Sequence, residues 1–229
     1  MSLRINGWRG VLKWGVMILV GVAFLVFFIR VVTFEDAYFK EKHGSERAVA
    51  EETTEQDEEL IEVKPTEEEV VEYTVAADRP RYLSIEKLGV EKARVLPVGI
   101  NSDGELGTPN NIFDVGWYES SGKPGQGKTM LIDGHNGGPH VHGVFKDLPS
   151  LGSGDRIVVE RGDGAVFTYI VVENIEVPLD RSDVYMATAM KSPESGKESL
   201  TLISCTGEWS QAQGTYLSRQ FTRAVLLES

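Results

Sequence analysis

Apolar and polar positions change places over short distances through most of the chain beyond residue 80. Leu83, Ile85 and Leu88 alternate in part with polar neighbours, and residues 95–100, 129–133, 156–160, 166–177 and 221–227 are rich in β-branched and aromatic side chains. A further apolar run, residues 201–205, ends on Cys205. Glycine-containing turn signals at 102–104, 152–155 and 162–164 separate these runs. Many short strands with such punctuation predict an all-β barrel or sandwich rather than alternating strands and helices. One short helix is expected over residues 184–190, capped by Ser182 or Asp183, inside the long connection from Pro178 to Ser199. A connection of that length is more often functional than idle.

The pattern before residue 80 is different. Residues 14–34 are almost continuously apolar, interrupted by Arg30. At ~1.5 Å per residue, about 20 of them cross a ~30 Å hydrocarbon layer, so a single membrane-spanning helix is expected. Arg4, Arg9 and Lys13 precede the run and acidic residues follow it, which puts the N-terminus in the cytoplasm and the remainder outside. A cleavable signal peptide is the alternative, but the apolar core is long for one and no small-x-small site follows. Residues 35–79 are dominated by glutamate, which predicts a solvated, self-repelling spacer that chemistry can dispense with. The expected organisation is therefore 1–34 for the cytoplasmic end and span, 35–79 for the spacer and 80–229 for the folded domain.

With a net charge of −12, the chain lacks the basic surface through which proteins displace counterions from phosphates, so nucleic acid is excluded as a partner. Its single cysteine forms no intrachain disulfide, and Cys205 stands out for another reason. The strand it belongs to is expected to stop at the sulfur, because residues 206–214 read as a loop. Gly134 and His135 follow the run 129–133, and Arg219 lies shortly downstream. A thiol, an imidazole and a guanidinium are what an attack on an amide needs: a nucleophile, a proton donor for the leaving amine and an oxyanion partner.

Residues 201–205, Gly134 with His135, and Tyr216 through Arg219 resemble the catalytic segments of the sortases, cysteine transpeptidases of bacterial surfaces. Residues 83–90, 115–118 and 145–155 fall in the order of that family, and the resemblance runs from about Pro80 to the C-terminus. The segments at 115–118 and 205–207 look closer to classes E and F than to class A. The stretch from Gly137 to His142 departs from the pattern and reshapes the loop after His135.

The resemblance implies a closed β-barrel with one or two short helices. It implies cleavage of a C-terminal sorting signal of Leu-Pro-x-Thr-Gly type, a thioester on Cys205, and transfer to an amine of the cell wall or of a pilin. His135 is then the general acid and base, and Arg219 stabilises the oxyanion and substrate. No cofactor is implied. Partners are surface-protein precursors, the amine acceptor, and the membrane through the N-terminal helix.

Ser204 and Trp209 are candidates for substrate binding; a backbone-bonded buried serine and a loop anchor are the plain readings of the same two residues. His135, His140, His142 and Cys205 offer zinc ligands in type, but their spacing is irregular. Asp133, which alternation sets on the other side from its neighbour, is given no role. A papain-like site is disfavoured because His precedes Cys and the Cys ends a strand. Arg219 and Arg223 share a face of the last strand, and an antiparallel hairpin would set Arg219 opposite Cys205 and Arg223 opposite Thr201. With reference values of ~8.5 and ~6.5, an unperturbed Cys–His pair is only about 1% thiolate and imidazolium. The alternative from another class is an inactive extracellular β-barrel that binds surface peptides.

Overall fold

The computed structural model describes residues 60–102 and 104–227. The expected membrane span at 14–34 and most of the expected spacer lie outside them. Among the described residues no helix is long and apolar enough to cross a membrane.

The β-rich runs form eight strands among the described residues: β1 (Pro80–Ile85), β2 (Val90–Val98), β3 (Val115–Tyr118), β4 (Thr129–Gly134), β5 (Arg156–Arg161), β6 (Val166–Pro178), β7 (Ser199–Ser210) and β8 (Thr215–Leu226). They close into a barrel in the order β1, β2, β3, β4, β7, β8, β6, β5. The pairs β2–β3 and β4–β7 are parallel, and the others are antiparallel. Side chains at alternate positions, among them Val95, Trp117, Met130, Ile132, Leu200, Leu202 and Ala224, fill the interior. Closure leaves no unpaired sheet edge.

A second apolar layer lies on the outside of the wall. Leu131, Ile203, Phe221 and Val177 pack there against α2 (Leu179–Ala189), which contributes Ala189, Tyr185 and Met186. Tyr185 meets Phe221 edge-on, with ring centroids 4.8 Å apart. The helix starts earlier than the expected cap, because Pro178 ends β6 and leads straight into the first turn, where a missing N–H costs nothing. Ser182 is inside the helix and its Oγ donates to the Leu179 carbonyl (2.8 Å).

Two further expectations change. β7 does not stop at Cys205; it continues to Ser210, and the ladder to β8 shifts register between Thr206 and Trp209. Gly207 makes that bulge possible by taking φ of +82°, a conformation a side chain resists. The loop expected over residues 206–214 is thus mostly hairpin.

The other correction concerns the expected spacer, since residues 60–79 pack on the barrel. A capping box between Thr66 and Glu69 starts the short helix α1 (Glu67–Glu72). Beyond it the Tyr73 hydroxyl donates to the Val95 carbonyl (2.6 Å), and Arg81 Nε donates to the Tyr73 carbonyl (2.8 Å). Glutamate content suggested a chain unable to bury a core. It missed that backbone groups, Arg81 and the hydroxyls of Tyr73 and Tyr82, the latter donating to the Val70 carbonyl, hold this strap through hydrogen bonds rather than apolar burial.

Candidate active site

Register builds the site. In the β7–β8 ladder, Cys205 faces Arg219, Ile203 faces Phe221 and Thr201 faces Arg223. In the parallel β4–β7 ladder, Asp133 is level with Ile203 and Leu131 with Thr201. Because side chains alternate, all of these lie on the outer face of the wall. They form rows across three strands: Leu131–Thr201–Arg223, then Asp133–Ile203–Phe221, then Cys205–Arg219. Past the end of the β4–β7 ladder, Ser204 Oγ donates to the carbonyl of Gly134, which ties the residue before Cys205 to the residue before His135.

His135 leaves β4 through Gly134, where any Cβ would lie 2.6 Å from the Phe145 ring. Only glycine lets the strand turn so close to that buried aromatic. The His135 Nε2 is 2.8 Å from the Pro109 carbonyl. A carbonyl only accepts, so Nε2 carries the proton and Nδ1 is left to meet a thiol or substrate. The neighbouring Thr108 Oγ1 donates to Asp133 Oδ2 (2.8 Å). One short segment thus holds both the imidazole and the carboxyl two residues before it. That segment is in turn pinned by the strap: Ile61 N–H donates to the Asn110 carbonyl (2.9 Å) and Ile112 N–H to the Ile61 carbonyl (3.1 Å).

Cys205 is half-buried, and burial pushes its thiol up, followed by the carboxylates of Asp133 and Glu105, against a lowering by Arg219. Burial pulls His135 down, opposed by its bond to Pro109. Both shifts favour the neutral thiol and neutral imidazole, so the ion pair is scarcer than the about 1% of an unperturbed pair. Asp133 is pushed up to about 7 by burial, against the Thr108 hydrogen bond and the charge of Arg219.

The remaining expected residues separate. The Arg219 guanidinium donates to the Tyr216 (3.0 Å) and Ser218 (3.1 Å) carbonyls and to Thr215 Oγ1 (3.3 Å). Ser204, expected as a substrate contact, is buried and points the other way; its Oγ donates to the Gly134 carbonyl (2.9 Å) and fixes the strand end that carries His135. Trp209 is exposed at the far end of the hairpin, edge-on to Tyr216 with ring centroids 5.2 Å apart. Arg223 is buried, ion-paired with Glu173, and donates to the Lys191 carbonyl (3.0 Å). His140 and His142 lie exposed on the loop beyond His135, and among the described residues no group of acidic, His and Cys side chains is gathered as cation ligands. The sequence reading set Asp133 aside and passed over Thr108 and Pro109. Asp133 alone carried a signal, as a carboxylate inside an apolar strand two residues before His135.

A closed all-β barrel with its thiol on the outer wall, opposite an arginine, defines a class of cysteine enzyme domain. A sortase-domain family model matches residues 83–226, and the chain belongs to the sortase family, the cysteine transpeptidases. No curated protein matches it. Similar solved structures include a Clostridium perfringens Sortase D5 transpeptidase (21% identity, 72% of this chain and 91% of that one, TM-score 0.46). Sortase A from Corynebacterium diphtheriae (21%, 67% and 64%, 0.46) and Sortase C of Streptococcus pneumoniae (19%, 75% and 80%, 0.48) are similar as well.

Proposed function

We propose that this sortase is anchored in the cell membrane by residues 14–34, with the N-terminus cytoplasmic and residues 80–229 forming an extracellular catalytic domain. It cleaves a C-terminal sorting signal of Leu-Pro-x-Thr-Gly type in surface-protein precursors. The acyl group passes through Cys205 to an amine of the cell wall or of a pilin. Residues 115–118 and 205–207 support a branch near classes E and F.

In this reading the Cys205 thiol passes its proton to His135 Nδ1 as sulfur bonds to the scissile carbonyl carbon. The tetrahedral oxyanion is met by Arg219. The C–N bond breaks as the His135 imidazolium returns the proton to the departing amine, leaving a thioester. The acceptor amine then attacks the thioester carbon, its proton goes to His135, the C–S bond breaks, and the thiol is restored. Since both groups rest neutral, the proton must move as substrate binds, which suits a slow enzyme. Trp209 is a candidate wall for the peptide.

The observation that carries the reading is the facing of Cys205 and Arg219 across β7–β8. The test is a thiol-reactive sorting-signal analogue. A stable adduct on Cys205, competed by authentic peptide, together with transfer of a Leu-Pro-x-Thr peptide to a glycine amine, is the expected result. Absence of both overturns it.

A further inference from the structure

The stretch from Gly137 to His142, which departs from the sortase pattern, takes no part in the steps above. It folds into a narrow hairpin directly after His135. Gly137 and His142 form an antiparallel bridge, Gly138 N–H donates to the Val141 carbonyl (2.9 Å), and Gly143 N–H donates to the Asn136 carbonyl (2.9 Å). The base of the hairpin closes on the catalytic residue. Phe145 N–H donates to the His135 carbonyl (2.9 Å), and a Cβ at Gly143 would lie 2.4 Å from that same oxygen.

The tip has little of its own to hold it. Pro139, His140, Val141 and His142 are all exposed, so apolar burial does not fix them, and the glycines raise the entropy lost on ordering the segment. Among the described residues, the hydrogen bonds that reach 137–142 from elsewhere in the chain come from one side chain. The half-buried Glu62 sets Oε1 between two backbone donors, His140 N–H (2.8 Å) and Val141 N–H (3.2 Å). Its stem crosses Gly138 so closely that a Cβ there would stand 2.2 Å from Oε1. Gly138 is not among the residues with positive φ, so the missing side chain serves space rather than backbone conformation. Hydrogen bonds to a carboxylate are roughly twice as strong as those to a neutral acceptor, which makes this contact the main restraint on the tip.

We infer that Glu62 is a positioning residue for the reaction: by holding the 137–142 hairpin it fixes the backbone on the C-terminal side of His135, as the Pro109 carbonyl fixes the ring. This rests on the transpeptidase reading of the site. The imidazole has to take a proton from sulfur and deliver it to nitrogen in one turnover. Each transfer demands hydrogen-bond reach, so small displacements of the backbone that carries it are costly. The competing role is that Glu62 only anchors residues 60–79, with the hairpin as a passive foothold.

The test compares full-length wild type with Glu62→Gln, Glu62→Ala and Gly138→Ala. The last displaces the carboxylate while leaving Glu62 and the rest of the strap unchanged in sequence. Melting temperature and alkylation of Cys205 by iodoacetamide report whether each protein is folded. Glu62→Ala and Gly138→Ala are expected to lower kcat for a Leu-Pro-x-Thr-Gly peptide by about tenfold, with KM within about twofold. Glu62→Gln keeps an oxygen acceptor and should retain kcat within about threefold. Amide hydrogen exchange should rise at residues 136–143 in the two weakened variants. If kcat is unchanged in either of these two, or faster exchange is confined to residues 60–79, the inference is overturned and the transpeptidase is left intact. A wild type that alkylates normally but turns over no peptide defeats the underlying reading, and the inference with it.

Discussion

Cys205 and Arg219 are partners across the β7–β8 ladder, yet the Arg219 guanidinium is turned back onto the carbonyls of Tyr216 and Ser218. The backbone thus fixes the pair before the side chain is aimed. Swinging out to an oxyanion means exchanging bonds from the guanidinium to neutral carbonyls for bonds in which both partners are charged.

Arg219→Ala should therefore lower kcat by ~10²- to 10³-fold with the fold intact. Lysine should rescue poorly, since a point charge cannot reproduce the planar fork. Steady-state kinetics on a cleaved peptide decide it, and a loss below threefold would remove Arg219 from the oxyanion role.

Arg223→Ala is a different experiment. It strips a buried guanidinium from Glu173 and from the carbonyl of Lys191 beyond α2. Breaking a fully buried pair costs about 3–5 kcal/mol; Glu173 is partly exposed, so about 2 kcal/mol is expected here. Denaturant melts should register that loss, and a variant as stable as wild type contradicts it.

Cys205→Ala should abolish transfer without unfolding the protein. His135→Ala should be comparably severe, while His140→Ala and His142→Ala should leave turnover within about twofold, because both side chains face solvent. Alkylation of Cys205 in wild type should rise with pH only above the ordinary thiol range, as burial raises the thiol and lowers the imidazole. A reactive plateau near pH 6 would mean that the ion pair dominates after all.

Asp133 makes stability depend on pH. Its folded value, about 7, lies above the ~3.9 of an unfolded aspartate. The stability it contributes is complete below about pH 4 and is lost as pH rises through 7. Asp133→Asn should gain melting temperature relative to wild type at pH 8 and lose that advantage at pH 4; the reverse order would show a carboxylate stabilised by Arg219.

Composition predicts that a chain starting near Asp78 folds and turns over peptide normally. Given the bonds from Ile61 to Asn110 and Ile112 and from Tyr73 to Val95, it should instead melt lower and turn over more slowly than one starting at residue 58. Equal melting and equal kcat would return residues 60–79 to the status of spacer.

The strands and the Cys205–Arg219 facing were legible because period-two patterns and hairpin arithmetic are local properties. Asp133 and Ser204 show where that stops. Alternation sorts each residue to a face, but only the pairing of β4 with β7 reveals that Asp133 shares the face of Cys205 while Ser204 ties to Gly134 from the other side. The β7 extension was hidden by Gly207, which reads as a loop signal and acts as a bulge. The strap was hidden because it is held by backbone groups, the hydroxyls of Tyr73 and Tyr82, the Arg81 guanidinium and the Glu62 carboxylate, whose hydrogen bonds leave no trace in hydropathy.

The Glu62 carboxylate accepts from the backbone N–H groups of His140 (2.8 Å) and Val141 (3.2 Å), in the loop that begins at His135. Ile61, beside it, is stitched to the segment whose Pro109 carbonyl orients the imidazole. The chain thus enters the barrel at the catalytic loop rather than at a remote wall. A pull applied through residue 60 is borne first by these few hydrogen bonds, so that residue and the imidazole share one mechanical joint.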